Sequence, residues 1–154
     1  MIAVLQRAFS ASVIADGIQA GSIGKGLYIL LGVTKEDSEE DAGLLAEKIA
    51  KLRIFSDEMG KMNLSVNDVD GEVLVVSNFT LSANYSHGNR PEYFSAAAPA
   101  RANELYEYFI SLMRNLVRRV DTGVFGADMK TELVTDGPVT IVMDSEILSK
   151  KGKV

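Results

Sequence analysis

The stretch that most constrains this chain is Leu133-Val134-Thr135-Asp136-Gly137-Pro138-Val139-Thr140-Ile141-Val142, where two β-prone runs meet across an Asp-Gly-Pro centre. Aliphatic and β-branched residues suit a pleated, half-buried surface. Gly137 has no Cβ, and Pro138 has a fixed φ and no N–H, so neither a helix nor a regular ladder passes through the centre undisturbed. A Gly-Pro step presents carbonyl oxygens, not side chains, to whatever lies opposite. Taken alone, the stretch reads as a hairpin turn between two strands, the usual setting for Gly and Pro together.

A second interrupted strand lies upstream. Val73-Leu74-Val75-Val76 is apolar and ends at Ser77-Asn78-Phe79-Thr80-Leu81. Residues 82–98 then turn polar, with Asn84, Ser86, Gly88, Asn89 and Pro91. A loop of that length inside a compact domain is usually functional, and here it is expected to form a pocket wall.

The remaining segments supply a frame for these two. Residues 1–9 and Ser12–Ala15 are β-rich, and Asp16-Gly17 turns the chain back into Ile18-Gln19-Ala20. Gly26 to Val33 is a continuous apolar run, as expected of a central strand buried on both faces. Ser38 and Asp41 have capping-box spacing, and Ala42, Leu45, Ile49 and Leu52 share one helical stripe. Arg53-Ile54-Phe55 and Met62 to Val66 read as short strands around Gly60, and Asp70-Gly71 turns into Glu72 to Leu81. Pro99 suits a first helical position, and Leu105, Phe109, Leu112, Leu116 and Val120 trace the core face of a second helix. Val124-Phe125, Met129–Thr135 and Val139–Met143 are strand-like. The expected fold is α/β: a single three-layer domain of mixed β-sheets with two main helices. It should span residues 1–145, and residues 146–154 should form a basic tail carrying Lys150, Lys151 and Lys153.

Composition narrows the chemistry. A chain of 154 residues, 47% of them apolar, suits one domain with an ample core. No apolar run reaches membrane-spanning length, and Met1 to Leu5 already reads as a strand rather than a leader, so a cytoplasmic protein without a membrane partner is expected. There are no cysteines, which removes disulfides, thiolate metal sites and thiol nucleophiles. Asp37, Glu39, Glu40 and Asp41 form a helix start that suits the helix dipole, so neither a metal nor another cofactor is expected. The formal charge of −5 disfavours a broad electrostatic grip on nucleic acid. The single histidine, His87, lies in the polar loop and makes a poor base for a Ser-His-Asp triad. Hydroxyls and backbone remain. Ser77 and Thr80 are candidates, although a hydroxyl at a strand end often only caps backbone.

Ser77-Asn78-Phe79-Thr80-Leu81 and Thr135-Asp136-Gly137-Pro138-Val139-Thr140 together resemble the two signature motifs of the D-aminoacyl-tRNA deacylases, Ser-Gln-x-Thr-Leu and Asn-x-Gly-Pro-Val-Thr. The likeness extends through Gln6-Arg7, Arg53 to Asp57, Gly60 to Asn63, Arg90-Pro91, Thr122-Gly123 and Ala127-Asp128-Met129. Asn78 stands where Gln is usual, and Thr135 where Asn is usual. The resemblance implies that family's fold, an obligate homodimer with active sites at the subunit interface, and the 3′ end of aminoacyl-tRNA as partner. It also implies a catalytic turn at Ser77, Phe79 and Thr80, in which the N–H groups of Phe79 and Thr80 face the ester carbonyl. Asn78, Arg7, Met129, Gly137 and Pro138 fall at substrate-binding positions, Arg7 as the arginine that fixes the Gly-Pro motif by bonding its carbonyls. The implied reaction is hydrolysis of D-aminoacyl-tRNA, and of glycyl-tRNA, as proofreading that excludes L-amino acids through a Gly-Pro gate. A non-catalytic module that holds aminoacyl-tRNA ends, or a purely structural dimer, is the alternative.

Overall fold

The computed structural model describes residues 1–149; Lys150, Lys151 and Lys153 of the expected basic tail lie outside the described residues. Among the described residues, eight strands and three helices follow in order. They are β1 (Ile2–Ala15), β2 (Ile18–Ile23), β3 (Gly26–Gly32), α1 (Glu39–Lys51), β4 (Phe55–Ser56), β5 (Met62–Leu64), β6 (Glu72–Ser77), α2 (Pro99–Leu116), β7 (Val120–Thr122), β8 (Met129–Asp144) and α3 (Ser145–Ser149). A 3₁₀ turn, Phe79–Ser82, follows β6.

Alternation of side chains splits the core in two. On β3 and β6, Leu27, Ile29, Leu31, Val73 and Val75 pack toward the helices, whereas Tyr28, Leu74 and Val76 join Ala11, Val13 and Ile23 on the other face. The near-continuous burial of β3 follows from its central place in the order β2-β1-β3-β6-β7, with β8 added along β1. β3–β6 and β6–β7 are parallel and the pairs made by β1 are antiparallel, so the sheet is mixed, as expected. It nearly closes on itself: the Ser22 N–H donates to Asp121 Oδ2 at 2.8 Å, and Arg119 Nη2 donates to the Ser22 carbonyl at 2.9 Å. Gly21 allows this approach, because a Cβ there would sit 2.8 Å from the Thr122 carbonyl.

Helices α1 and α2 cover the helix-side core with Leu45, Ile49, Leu105, Phe109 and Met113. The capping box is present at Ser38, where Asp41 Oδ2 accepts from the Ser38 N–H at 2.9 Å, and Pro99 begins α2. The α-amino group of Met1 pairs with Asp37 Oδ1 and donates to Ser145 Oγ at 2.7 Å, fixing α3 beside the start of β1.

Several expectations are corrected. The Asp136-Gly137-Pro138 stretch is not a hairpin turn. β8 runs straight through it beside β1, and four residues, 136–139, oppose Arg7 alone between the Gln6–Thr140 and Ala8–Thr135 pairs. A long neighbouring strand absorbs the kink as a bulge, which local turn statistics do not anticipate. Residues 1–9 and 12–15 are likewise one strand. Val120 leaves the predicted helical stripe because α2 ends at Leu116 and Val120 starts β7, and Val124-Phe125 is loop. Leu52 caps α1 instead of extending it, and the short hairpin is reduced to β4 and β5.

Candidate active site

Ligands of α/β sheets bind outside the carboxyl ends of the parallel strands. Here β3 and β6 end together, with Leu31 paired to Ser77, and the Asn78 N–H donates to the Leu31 carbonyl at 2.8 Å. A cavity of about 720 Å³ opens at that point. Leu31, Val33 and Ser77 form its strand side, Tyr93, Phe94 and Ala96 to Ala98 its loop side, and Tyr106, Phe125 and Met129 its far side. The second half of the polar loop is thus a pocket wall, as its length led us to expect. Tyr106 donates its hydroxyl to the Val75 carbonyl at 3.1 Å, and burial pushes this phenol well above its ordinary range, so it is a fixed neutral donor. Lys35 is the only charged side chain lining the cavity among the described residues.

The turn beside the cavity is shaped by Asn78. Its backbone is extended (φ −149°, ψ 97°) and its side chain caps the 3₁₀ turn. Asn78 Oδ1 accepts from the Thr80 N–H at 3.1 Å and also from the Thr80 hydroxyl. The Thr80 N–H, expected to face substrate, is therefore already satisfied by a short carboxamide arm folded back on its own turn. The Phe79 N–H has no acceptor among the described residues. The Phe79 ring is exposed and meets Tyr93 edge-on, with centroids 5.1 Å apart, at the pocket edge.

Of the residues singled out from sequence, Ser77, Asn78, Phe79 and Met129 line the cavity together; Thr80, Arg7, Gly137 and Pro138 do not. His87 is exposed and its Nδ1 lies 2.8 Å from Ser86 Oγ, far from the arrangement a triad requires. Arg7 is buried, with Nε 3.1 Å from the Asp136 carbonyl and 3.2 Å from Asp136 Oδ2, and Nη1 2.7 Å from the Ile54 carbonyl. A guanidinium fork holds three acceptors at once, so the corner it anchors is stiff. Gly137 (φ 141°) and Pro138 (in a cis Gly137-Pro138 peptide) are both exposed on β8. Sequence reasoning missed Tyr93, Phe94 and Tyr106 as pocket residues. Two of them sit in a polar loop, and Tyr106 lies beside the predicted stripe of α2, which gave no sign of the cavity.

Comparison with known proteins gives consistent results. Residues 4–144 match the family model described as D-Tyr-tRNA(Tyr) deacylase. The D-aminoacyl-tRNA deacylase of Caldicellulosiruptor saccharolyticus is 53% identical over 146 residues, covering 95% of this chain and 98% of that protein. The one from Anaeromyxobacter dehalogenans is 54% identical over 148 residues, covering 96% and 99%. Among solved structures, the c-Myc DNA Unwinding Element Binding Protein superposes with a TM-score of 0.88 at 39% identity, covering 94% of this chain and 98% of that one. A probable eukaryotic D-amino acid tRNA deacylase shares the fold with a TM-score of 0.82 at 13% identity, covering 92% and 97%.

Proposed function

The chain belongs to the D-Tyr-tRNA(Tyr) deacylase family, and from that premise we propose that this hydrolase cleaves the ester bond of D-aminoacyl-tRNA at the cavity beside Ser77, releasing free tRNA and the D-amino acid. The observation that carries the reading is an apolar cavity lined by Phe79, whose backbone N–H has no acceptor among the described residues. An ester carbonyl develops negative charge as it is attacked, and a preorganised N–H in a site of low polarity stabilises that charge strongly.

The nucleophile is water, assisted by the vicinal 2′-hydroxyl of the terminal ribose. Thr80 donates its hydroxyl proton to an amide oxygen, which is too weak a base to activate it, and among the described residues no histidine or carboxylate lines the cavity. The enzyme contributes position and electrostatics. Ser77 and Asn78 fix the turn, and Met129 shapes the far side of the space that the terminal nucleoside and amino acid share.

Selectivity comes from the Gly137-Pro138 corner. It is exposed and lies outside its own chain's cavity, so in a homodimer it is free to enter the cavity of the second subunit. There its carbonyl oxygens stand where an L side chain would project and leave room for a D side chain. A stiff backbone wall rejects by clash and is indifferent to side-chain identity, so achiral glycyl-tRNA is accepted as well. This is chiral proofreading, a cytoplasmic task. The test compares hydrolysis of D-tyrosyl-, L-tyrosyl- and glycyl-tRNA by the wild type and by Gly137→Ala, where an added Cβ would lie 2.6 Å from the Val139 nitrogen. The expected result is strong preference for the D ester over the L ester in the wild type and collapse of that preference in the variant. Equal wild-type rates on both tyrosyl esters would refute the gate, and no hydrolysis of any ester would refute the activity.

A further inference from the structure

We propose that Lys35 and the hairpin of residues 84–92 form the track for the single-stranded 3′ end of the tRNA, with Lys35 and Arg90 on its phosphates and Tyr85 stacked on a base. This rests on the deacylase reading and assigns the RNA contacts that reading lacks.

The hairpin is a stiff finger. Asn84 and Glu92 exchange backbone hydrogen bonds of 2.8 and 2.9 Å, and the Asn84 amide donates to Glu92 Oε1 at 2.6 Å. Glu92 Oε2 accepts from the Phe94 N–H at 2.8 Å, so both carboxylate oxygens are used in the staple. The finger continues directly into Tyr93 and Phe94, which line the cavity. Lys35 shares its base: the Lys35 N–H donates to the Ser95 carbonyl at 3.0 Å, and Thr34 bridges to Ala96.

Charge marks the same surface. Arg7, Arg101, Arg118 and Arg119 are all paired with carboxylates. Lys35 and Arg90 are exposed and, like Lys25, Lys48, Arg53, Lys61, Arg114 and Lys130, have no ion-pair partner among the described residues; of these cations only Lys35 lines the cavity, and only Arg90 lies on the finger that leads into it. Tyr85 is 78% exposed, next to Asn84 at the base of the finger. Cations on the backbone and an aromatic ring under a base are the two elements from which single-stranded RNA grips are built. An acidic protein gains little from long-range attraction to RNA, so the phosphate contacts fall to single cations, Lys35 at the cavity and Arg90 on the finger.

The experiment compares D-tyrosyl-tRNA with D-tyrosyl-adenosine, which carries the ester and terminal nucleoside but no phosphate. For Lys35→Ala and Arg90→Ala, kcat/KM on the tRNA relative to the adenosine ester should fall about fivefold each at about 0.1 M salt, the counterion-release effect of one phosphate on a single strand. The log–log salt slope of the tRNA reaction should shrink by about 0.7 for each cation lost, and Lys35→Arg should restore it. Tyr85→Ala should lower the same ratio about tenfold. Unchanged ratios and slopes, or equal losses on both esters, would overturn the proposal while leaving the deacylase intact. Failure of the wild type on both esters would instead remove the reading beneath it.

Discussion

The turn after β6 and the corner in β8 are both interruptions of a strand, yet they are built in opposite ways. At Ser77–Ser82 the chain satisfies itself locally: Asn78 caps the turn two residues on, and the turn opens onto a cavity made by the same chain. At Asp136-Gly137-Pro138 nothing local holds the kink. The anchor is Arg7, 129 residues earlier, and the exposed corner does not line the cavity beside Ser77. On the proposed reading the contrast separates two tasks: the turn serves cleavage in its own chain's pocket, and the corner is a discriminating wall presented to the pocket of a second subunit.

Arg7→Ala tests the remote anchor and should have the largest effect. It leaves the Asp136 carboxylate and carbonyl and the Ile54 carbonyl without their donor, at a cost of about 3 kcal/mol, read as a fall of roughly 6–12 °C in Tm. Discrimination between D and L esters should suffer more than turnover of the D ester. A Tm within about 2 °C of wild type would mean that the corner is held by something else.

Tyr106→Phe probes the pocket side. Removing its bond to the Val75 carbonyl should cost about 1 kcal/mol in denaturant unfolding while leaving the D/L ratio untouched, because the ring that shapes the cavity stays and Arg7 still holds the corner. A changed ratio would break the separation of tasks. Asn78→Ala should cost a similar or smaller amount, about 1 kcal/mol, and lower kcat more than it raises KM by freeing the Thr80 end of the turn. Thr80→Ala should turn over within a few-fold of wild type; complete loss would instead assign the hydroxyl a covalent role.

Asp41→Ala is the smallest and belongs to neither region. Burial works to raise the Asp41 carboxyl, but the Ser38 N–H and the hydroxyls of Ser145 and Ser38 outweigh it and hold it below the usual carboxylate range. Its stabilisation is therefore present above the ordinary carboxylate pKa and is lost as pH falls through the lower folded value. The variant should lose about 0.5–1 kcal/mol at neutral pH and show a flatter acid limb in unfolding titrations, with both kinetic readouts unchanged.

Local rules located much of this molecule. The Asp16-Gly17 turn, with both residues at positive φ, the Ser38 cap of α1 and the Pro99 start of α2 were all legible because each is decided within a few residues. The buried β3 was legible from its unbroken apolar run. The errors came where distant chain intervened. β8 continues through Gly137-Pro138 because β1 is long enough to pair on both sides of the bulge, and Val120 belongs to a strand because β6 offers it an edge.

By itself, the sequence determined which residues carry the two motifs, the placing of two main helices between groups of strands and the absence of any thiol, since these depend on residue type and short spacing. Only the tertiary structure decided that Asn78 holds the donors of Thr80 and that the tyrosines of a loop and a helix meet around one cavity. Those outcomes depend on atoms brought within about 3 Å of each other by pairing and packing across the whole chain, a distance that no local pattern encodes.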